Sequence, residues 1–400
     1  MSRFFSFPAL FFLAILCIRP GASAQDGRTQ YPKALSNAYF GLEIGYINYP
    51  FSNKNLAPGY TASSVKIPQP AVRLTLFGYR FNENLSARIT YMRPTNWVEY
   101  RNINGSQGRH SVWMNVGGLT VKGQVPLAKK LSIYGEGGLG IITRSGFKID
   151  EVQVVKDATY ASYLAGGGLL YSLNKKWDLV ANFTFTPRNK RENQPQTVFA
   201  SGGFRYNMNP LPAARVERNA KSGYYFPKQM IQVGYSTNVL GYGVNKAVSE
   251  GPIPIFWGGD VVIRNGFNIN YERNIFHTRK VFALDWGASL GYWNTRGEGT
   301  GFFSVSLYPV LRFNVLRTKP LDLYLYYSVA GPTYLSKVNM DGEDTGTNFT
   351  FRDFMGMGTY LGKSRKLNAD ISIGHFSNGN IYPQNPGVKI PLTFNLGYMF

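Results

Sequence analysis

The chain has 400 residues, of which 44 are glycine and 15% are aromatic. Lysine and arginine number 43 against 22 aspartates and glutamates, which gives a formal net charge of +21. Beyond the first 24 residues no apolar run approaches about 18 residues, so the sequence excludes a membrane-spanning helix in that part of the chain.

Residues 1–24 have the pattern of a secretory signal peptide. Arg3 forms a short basic start, Phe4–Ile18 is almost wholly apolar, and the tripeptide Ala-Ser-Ala at residues 22–24 fits a cleavage site. We therefore expect the mature chain to begin at Gln25 and to be exported.

Cleavage at this site removes Cys17, the only cysteine, so the mature chain has no disulfide and no cysteine metal site. The alternative is a lipoprotein anchored through Cys17, which the bulky Leu16 and the good cleavage site disfavour. Loss of Arg3 and Arg19 leaves a net charge of +19. A basic exported protein predicts an anionic partner such as an acidic polymer or a lipid phosphate, and no nucleic acid is expected outside the cytoplasm.

Two residue classes alternate along most of the mature chain. In Trp177–Thr186, Trp, Leu, Ala and Phe occupy one face, while Asp, Val, Asn and Thr occupy the other. Such alternation is typical of strands with one side facing lipid and the other facing a polar barrel interior. Turn-rich segments separate eight predicted strands in the first half, at residues 38–49, 69–80, 85–98, 110–125, 131–145, 159–173, 177–187 and 196–208.

Residues 209–229 interrupt this pattern with three prolines, mixed charge and no alternation, which predicts a linker. The chain ends on Phe400, and a last strand that closes on an aromatic residue resembles the C-terminal signal of outer-membrane barrels. Eight further strands are predicted after the linker, at residues 230–243, 261–276, 280–293, 301–316, 321–336, 348–362, 367–378 and 390–400.

We therefore predict an all-β fold of two tandem antiparallel eight-stranded transmembrane β-barrels. Eight is the smallest usual strand number of a closed membrane barrel, and an even number returns the chain to its starting side. One sixteen-stranded barrel is the alternative, which the interrupted pattern disfavours. The predicted domains are a signal peptide at 1–24, an N-terminal outer-membrane barrel at 25–208, a periplasmic linker at 209–229 and a C-terminal barrel at 230–400.

The stretch GHFSNGNIYPQNPGVK, residues 374–389, holds one of only three histidines. If both termini face the periplasm, the seventh strand of the second barrel runs outward and carries His375 and Ser377 to the outer surface. Strand parity puts both on one face with Ile371 and Ile373, which indicates the lipid side. Residues i and i+2 lie roughly 6.5–7 Å apart, so an imidazole can reach a nucleophilic serine. The alternative is an interfacial pair that contacts only headgroups and water, because His-x-Ser is a common tripeptide.

The motif HFSNGNIYPQNPG resembles the lipid A 3-O-deacylase (PagL-like) outer-membrane family, and the resemblance extends over roughly residues 229–400. It implies an eight-stranded barrel that hydrolyses an ester-linked acyl chain of lipopolysaccharide. It also implies His375 as the base, Ser377 as the nucleophile, Asn378 as a supporting polar group and Asn385 as an oxyanion donor. The first half resembles the small OmpA/OmpX-type barrels, without a motif beyond the strand pattern.

One position departs from the family pattern. The family triad ends in a glutamate about fourteen residues after the histidine, where this chain has Lys389, or Ile390 when counted back from the C-terminus. A cation cannot orient and stabilise an imidazolium. The site is then a serine–histidine dyad, takes an acid such as Asp353 from the neighbouring strand, or is inactive.

The leading prediction is an outer-membrane carboxylic ester hydrolase that removes an acyl chain from lipid A by a serine–histidine mechanism. The alternative is a non-catalytic outer-membrane barrel protein that serves structure, adhesion or passage of small solutes. The expected partners are lipopolysaccharide and the bacterial outer membrane. No cofactor and no metal are implied, and the sequence leaves homodimerisation open.

Overall fold

The computed structural model describes residues 27–249 and 258–400, and the predicted signal peptide at residues 1–24 lies outside them. The chain divides into two compact units, each with its own barrel. One contains Pro32–Pro210 and Asn380–Gln384, and the other contains Leu211–Gly379 and Asn385–Phe400 with the described residues that precede Pro32. In the described ranges, no helix is long and apolar enough to cross a membrane.

The first barrel is built from eight antiparallel strands in the order β6-β4-β3-β1-β12-β11-β10-β7, and β7 pairs back to β6 to close it. These are the eight strands predicted for the first half. The strands of this unit are β1 (Ala38–Asn48), β2 (Ala62–Lys66), β3 (Pro70–Arg80), β4 (Leu85–Pro94), β5 (Val98–Ile103), β6 (Arg109–Ala128), β7 (Leu131–Ser145), β8 (Phe147–Ile149), β9 (Val152–Val155), β10 (Ala158–Ser172), β11 (Trp177–Thr186) and β12 (Thr197–Asn207).

The barrel wall has apolar residues outside and polar residues inside, the reverse of a water-soluble barrel. Along β1, Leu42, Ile44 and Tyr46 are 48%, 61% and 50% exposed, whereas Glu43 between them is 2% exposed. The same alternation recurs along β11, where Phe183 is exposed and its polar neighbours are buried. This pattern confirms the prediction of strands with one lipid-facing side.

Glu136 holds together the polar interior of the first barrel. It accepts hydrogen bonds from Arg73 at 3.0 Å, from Arg88 at 2.6 and 2.8 Å, and from Thr120 at 2.8 Å. All four side chains are buried. Charge-assisted bonds of this kind compensate the cost of burying three ionised groups away from water.

Four short strands, β2, β5, β8 and β9, extend the first barrel beyond the predicted wall. They belong to its long loops, and their apolar side chains pack with the ends of the wall strands. This cluster includes Tyr49, Phe51, Leu56, Val98, Tyr100, Ile103, Val154 and Val155. These strands were not predicted, because their residues lie in segments dominated by turn signals.

The second barrel closes in the order β13-β14-β15-β16-β17-β20-β21-β22, with β13 paired to β22. Two closed eight-stranded barrels confirm the predicted fold class and exclude the single sixteen-stranded alternative. The strands of this unit are β13 (Gln229–Thr237), β14 (Val261–His277), β15 (Phe282–Thr295), β16 (Gly301–Arg317), β17 (Leu321–Leu335), β18 (Asn339–Met340), β19 (Glu343–Asp344), β20 (Phe349–Leu361), β21 (Leu367–Ser377) and β22 (Val388–Met399).

Two helices lie outside the strands of this unit. Residues 209–228 contain the helix Ala213–Ala220 and no strand. The strand predicted at 230–243 ends earlier, at Thr237, because a turn follows in which the N–H of Gly241 donates to the carbonyl of Asn238 at 2.8 Å. A positive φ of 72° at Gly241 makes this turn incompatible with a continuing strand. The helix Gly243–Ser249 comes next.

The two ends of the second barrel differ in the length of their connections. At one end, β14–β15, β16–β17 and β20–β21 are joined by turns of three to five residues. At the other end, the connections after β13, β17 and β21 are far longer, while the connection after β15 has five residues. Outer-membrane barrels have short periplasmic turns and longer extracellular loops. We call the second end the long-loop end, and β21 reaches it at Ser377.

Candidate active site

The hairpin of β20 and β21 fixes the register of the candidate site. Its strands pair from Leu361 and Leu367 beside the short turn toward the long-loop end. Because antiparallel partners keep a constant register, eight residues along each strand bring Asp353 directly opposite His375. Side chains of directly opposed residues lie on the same face of a sheet, with Cβ atoms about 4.5–5.5 Å apart.

This shared face is the outward one. Phe354 and Phe376, the next residues along β20 and β21, pack in the apolar clusters inside the barrel. Alternation therefore turns Asp353, His375 and Ser377 away from the interior. The structure thus brings the predicted base, the predicted nucleophile and the candidate acid to one face at the long-loop end.

The expectation that this face is open to lipid holds at Ile371 and fails further along β21. Ile371 is 39% exposed, but Ile373 and His375 are only 2% and 3% exposed. Beside His375 lies Gly387 of the turn before β22, where an added Cβ would be only 2.9 Å from Nε2 of the imidazole. Strand parity gives the direction of a side chain, but it does not reveal what other segments pack over it.

Asp353 is held close to the imidazole of His375. Its Oδ2 lies 3.9 Å from Nδ1 of His375, and its Oδ1 accepts a hydrogen bond from the N–H of Ala330 at 2.5 Å. Ala330 has a positive φ of 53° and lies in a bulge between Ser328 and Gly331 on β17. A left-handed non-glycine residue costs roughly 1–2 kcal/mol, and bulges that redirect groups are frequent beside functional sites.

The other ring nitrogen of His375 lies beside a glycine in the turn before β22. A Cβ added to Gly387 would be 2.9 Å from Nε2, and the φ of Gly387 is 71°. Both the backbone and the space beside Nε2 therefore require glycine at this position. The Asn-Pro-Gly tripeptide was a turn signal in the sequence, but its contact with the histidine was not predictable from it.

The two predicted asparagines lie in the loop that follows Ser377. The N–H of Asn378 donates to Oδ1 of Asn385 at 2.9 Å, which ties the ends of the loop together. Nδ2 of Asn378 donates to the carbonyl of Thr345 at 3.4 Å. Asn385 thus lies within this loop, and Asn378 is buried against the loop before β20.

The two positions that could correspond to the family's glutamate are Lys389 and Ile390. On β22, Lys389 pairs directly with His375, and it is partly exposed on the outward face. Ile390 is 1% exposed and belongs to the apolar cluster of the interior. His375 therefore has a carboxylate opposite it on β20, at Asp353, and an ammonium group opposite it on β22.

Comparison with known protein families covers both halves of the chain. Residues 265–398 match the model of the lipid A 3-O-deacylase (PagL) family, and residues 33–209 match the OmpA-like transmembrane domain. These matches confirm the resemblance that each half showed in its sequence. The protein therefore carries a PagL-like and an OmpA-like outer-membrane barrel domain and is located in the bacterial outer membrane. No curated protein matches the sequence.

Several solved structures are similar to one barrel of this chain. The outer membrane enzyme PagL has 15% identity and a TM-score of 0.31, over 43% of this chain and 99% of that one. Neisserial surface protein A has 15% identity and a TM-score of 0.30, over 43% and 97%. The N-terminal β-barrel domain of Pseudomonas aeruginosa OprF has 13% identity and a TM-score of 0.29, over 43% and 98%.

Proposed function

We propose that the second barrel is an outer-membrane esterase that removes an ester-linked acyl chain from lipid A. Ser377 is the nucleophile, His375 is the base, and Asp353 is the acid that orients the base. The observation that carries this proposal is the register that puts Asp353 opposite His375, on the face and at the barrel end that also carry Ser377. The family match over residues 265–398 supports the class of substrate.

The reaction follows from the two sides of the imidazole. Oγ of Ser377 attacks the acyl carbonyl carbon while Nε2 of His375 accepts the hydroxyl proton. Asp353, on the Nδ1 side, stabilises the imidazolium that forms. The sugar oxygen then leaves with the proton from Nε2. A water molecule, deprotonated by the same nitrogen, hydrolyses the acyl-enzyme, so that the free fatty acid departs and Ser377 regains its hydroxyl.

Asn385 is suited to stabilise the oxyanion of the tetrahedral intermediates. Its Oδ1 is turned toward the N–H of Asn378, so the amide nitrogen of the same side chain is the donor end. A single donor of this kind contributes about 2.7–4 kcal/mol where it has been measured. Asn378, whose side chain donates to Thr345, serves to hold the turn rather than to bind substrate.

Asp353 takes the role that glutamate has in the family, from the opposite neighbouring strand. The separation of 3.9 Å between Oδ2 and Nδ1 exceeds a hydrogen bond by about 1 Å. Catalytic hydrogen bonds are often longer in a substrate-free site and shorten when the substrate binds. Because Asp353 and His375 are direct partners across the strand pair, we expect a small movement of the Asp353 side chain to close this gap when substrate binds.

The linker also fits this topology. β13 begins at the short-turn end of the second barrel, and residues 209–228 directly precede it. We therefore assign the helix Ala213–Ala220 and its flanking residues to the periplasm.

Lipid A isolated from cells with and without this protein tests the proposal by mass spectrometry. We expect the protein to shift lipid A to a mass lower by one 3-hydroxy acyl chain. Expression of Ser377→Ala at the same level should leave the mass unchanged. An unchanged mass with the wild-type protein would contradict the proposal.

A further inference from the structure

A basic cluster lies beside His375, on the side away from Asp353. Lys389 of β22 pairs with His375 on one side and, through the short parallel pairing, with Val262 of β14 on the other. The N–H of Arg296 donates to the carbonyl of Val262 at 2.7 Å. Lys389, Val262 and Arg296 thus form a row across three neighbouring segments. Adjacent strands lie about 4.8 Å apart, so the backbones of the two basic residues are roughly 10 Å apart.

The basic side chains of this row point outward. Val388 and Ile390, which flank Lys389, are buried in the apolar cluster inside the barrel, as are Val261 and Ile263, which flank Val262. Alternation therefore turns Lys389 to the outer face that also carries His375. Arg296 follows the fully buried Thr295 and is exposed.

Tyr242 lies between the two cations. Nζ of Lys389 is 6.0 Å from the centre of its ring, and its hydroxyl donates to the carbonyl of Ile263. Burial raises the pKa of Tyr242 to about 12, against the opposing effect of the positive charge of Arg296. The phenol therefore stays neutral at physiological pH and does not neutralise either cation.

Asp341 fixes the loop that carries Arg296. Its carboxylate accepts hydrogen bonds from the hydroxyl of Thr295 and from the N–H groups of Gly297 and Glu298, the latter two at 2.8 Å. These residues flank Arg296 on both sides. Burial opposes ionisation of Asp341, but the three hydrogen bonds outweigh it and hold the pKa of Asp341 below its ordinary value. The backbone of Arg296 is thus preorganised by a carboxylate that stays ionised.

Throughout residues 27–249 and 258–400, neither Lys389 nor Arg296 takes part in an ion pair. Two cations that share one outward face without a carboxylate partner repel each other, and a bound anion relieves that repulsion.

We propose that Lys389, Arg296 and Tyr242 form an anion subsite that binds a phosphate of the acylated lipid whose ester Ser377 cleaves. That this lipid is cleaved rests on the proposed function, whereas binding of its phosphate can be measured without cleavage. Lys389 is a diagonal neighbour of Ser377 across the β21–β22 pair, and such neighbours lie about 7–8 Å apart, so the subsite is next to the nucleophile. Lipid A and diacyl glycerophospholipids both carry an acyl ester close to a phosphate.

This subsite also gives a role to Lys389, one of the two positions that could correspond to the family's acid. With the carboxylate supplied by Asp353 on β20, the residue opposite His375 on β22 is no longer needed to orient the base. Lys389 can then contribute to substrate binding from a position next to the reacting ester.

Equilibrium binding to the full-length, inactive Ser377→Ala protein in nanodiscs tests the subsite. The probes are bis-phosphorylated lipid A, enzymatically dephosphorylated lipid A and phosphatidylglycerol. We expect Lys389→Gln and Arg296→Gln each to weaken binding of the phosphorylated probe by about three- to tenfold, the range expected for loss of one charged contact. Lys389→Arg should keep the affinity, and so should Lys363→Gln, which removes a lysine at the short-turn end.

Each result has a defined meaning. Preference for phosphorylated over dephosphorylated lipid A supports the subsite and assigns it to a lipid A phosphate, while tighter binding of phosphatidylglycerol assigns it to a glycerophospholipid. Equal affinity for all probes, or affinities that neither Gln variant changes, would overturn it. Heat-modifiable migration checks folding, and Lys389→Met replaces Lys389→Gln if the latter does not fold. Phosphate selectivity in a protein without esterase activity would overturn the proposed function and leave the subsite intact.

Discussion

Oδ2 of Asp353 lies 3.9 Å from Nδ1 of His375 across the β20–β21 pair. A histidine in the middle of a sheet has two neighbouring strands, and either can supply the carboxylate that orients it. Here the β22 position carries Lys389 and the β20 position carries the acid. Triads are recognised by geometry and roles rather than by sequence position, so a change of strand is compatible with the same chemistry.

Asp353→Asn should lower kcat strongly and leave KM nearly unchanged. The amide cannot stabilise an imidazolium, and the corresponding change in a serine protease costs about 10⁴ in rate. Release of fatty acid from lipid A by the purified protein measures the loss. Asp344→Asn, an exposed aspartate at the same end of the barrel, is the matched control. A loss below about threefold for Asp353→Asn would show that His375 works without this acid.

The double variant Asp353→Asn with Lys389→Glu should be at least tenfold more active than Asp353→Asn alone. Lys389 is directly opposite His375 on β22, so a carboxylate there reaches the imidazole from the other side. The same double variant should bind phosphorylated lipid more weakly, because a cation of the anion subsite is gone. Ile390→Glu should not restore activity, since Ile390 is buried in the apolar interior and an acid there is costly. Rescue by Ile390→Glu alone would contradict this register.

Gly387→Ala should lower activity by more than tenfold, because its Cβ would be 2.9 Å from Nε2 of His375. The matched control is Gly379→Ala in the same loop. Gly379 also has a positive φ, of 62°, but its added Cβ would contact only Phe351, at 3.6 Å. Both variants carry a similar backbone cost, roughly 1–2 kcal/mol, so a difference in kcat reports the close contacts of the new Cβ, which besides Nε2 include the carbonyl oxygen of Gly258 at 3.2 Å. Equal activity of the two variants would rule out that contact as important.

Much of this fold could be predicted from the sequence, because alternation reports which face of a strand meets lipid. Trp177–Thr186 is an example: the predicted outer face is the exposed one. The early end of β13 was not predictable in the same way, since it depends on the local turn at Gly241. Alternation also does not predict burial on the outward face, where Ile373 and His375 are 2% and 3% exposed.

The candidate site was likewise only partly predictable from the sequence. His375, Ser377 and Asn385 came from a motif, and Asp353 was one alternative among three. The choice between them depends on register, and register depends on the turn between Leu361 and Leu367. A slip of one residue in that turn would move Asp353 to the opposite face from His375. The sequence does not specify that turn closely enough to decide this.

The first barrel should depend on the acid in its interior. Glu136→Gln leaves Arg73 and Arg88 buried without a full counter-charge, and loss of one partner of a buried ion pair costs about 3–5 kcal/mol. Pulse proteolysis of the full-length protein across a urea gradient measures the shift of the midpoint for this barrel. Glu151→Gln, whose side chain is 96% exposed, should leave that midpoint in place. Identical midpoints for both variants would contradict the assigned role of Glu136.

The measurement that tests the account most directly is release of 3-hydroxy fatty acid from purified lipid A by the full-length protein. We predict release by the wild type, with a loss of at least about hundredfold in Ser377→Ala and in His375→Ala. Removing either the nucleophile or the base abolishes most of the activity that the two provide together. Ser336→Ala, which changes an exposed serine at the same end of the barrel, should release as much as the wild type. Equal release by Ser377→Ala, with the barrel intact by heat-modifiable migration, would show that Ser377 is not the nucleophile.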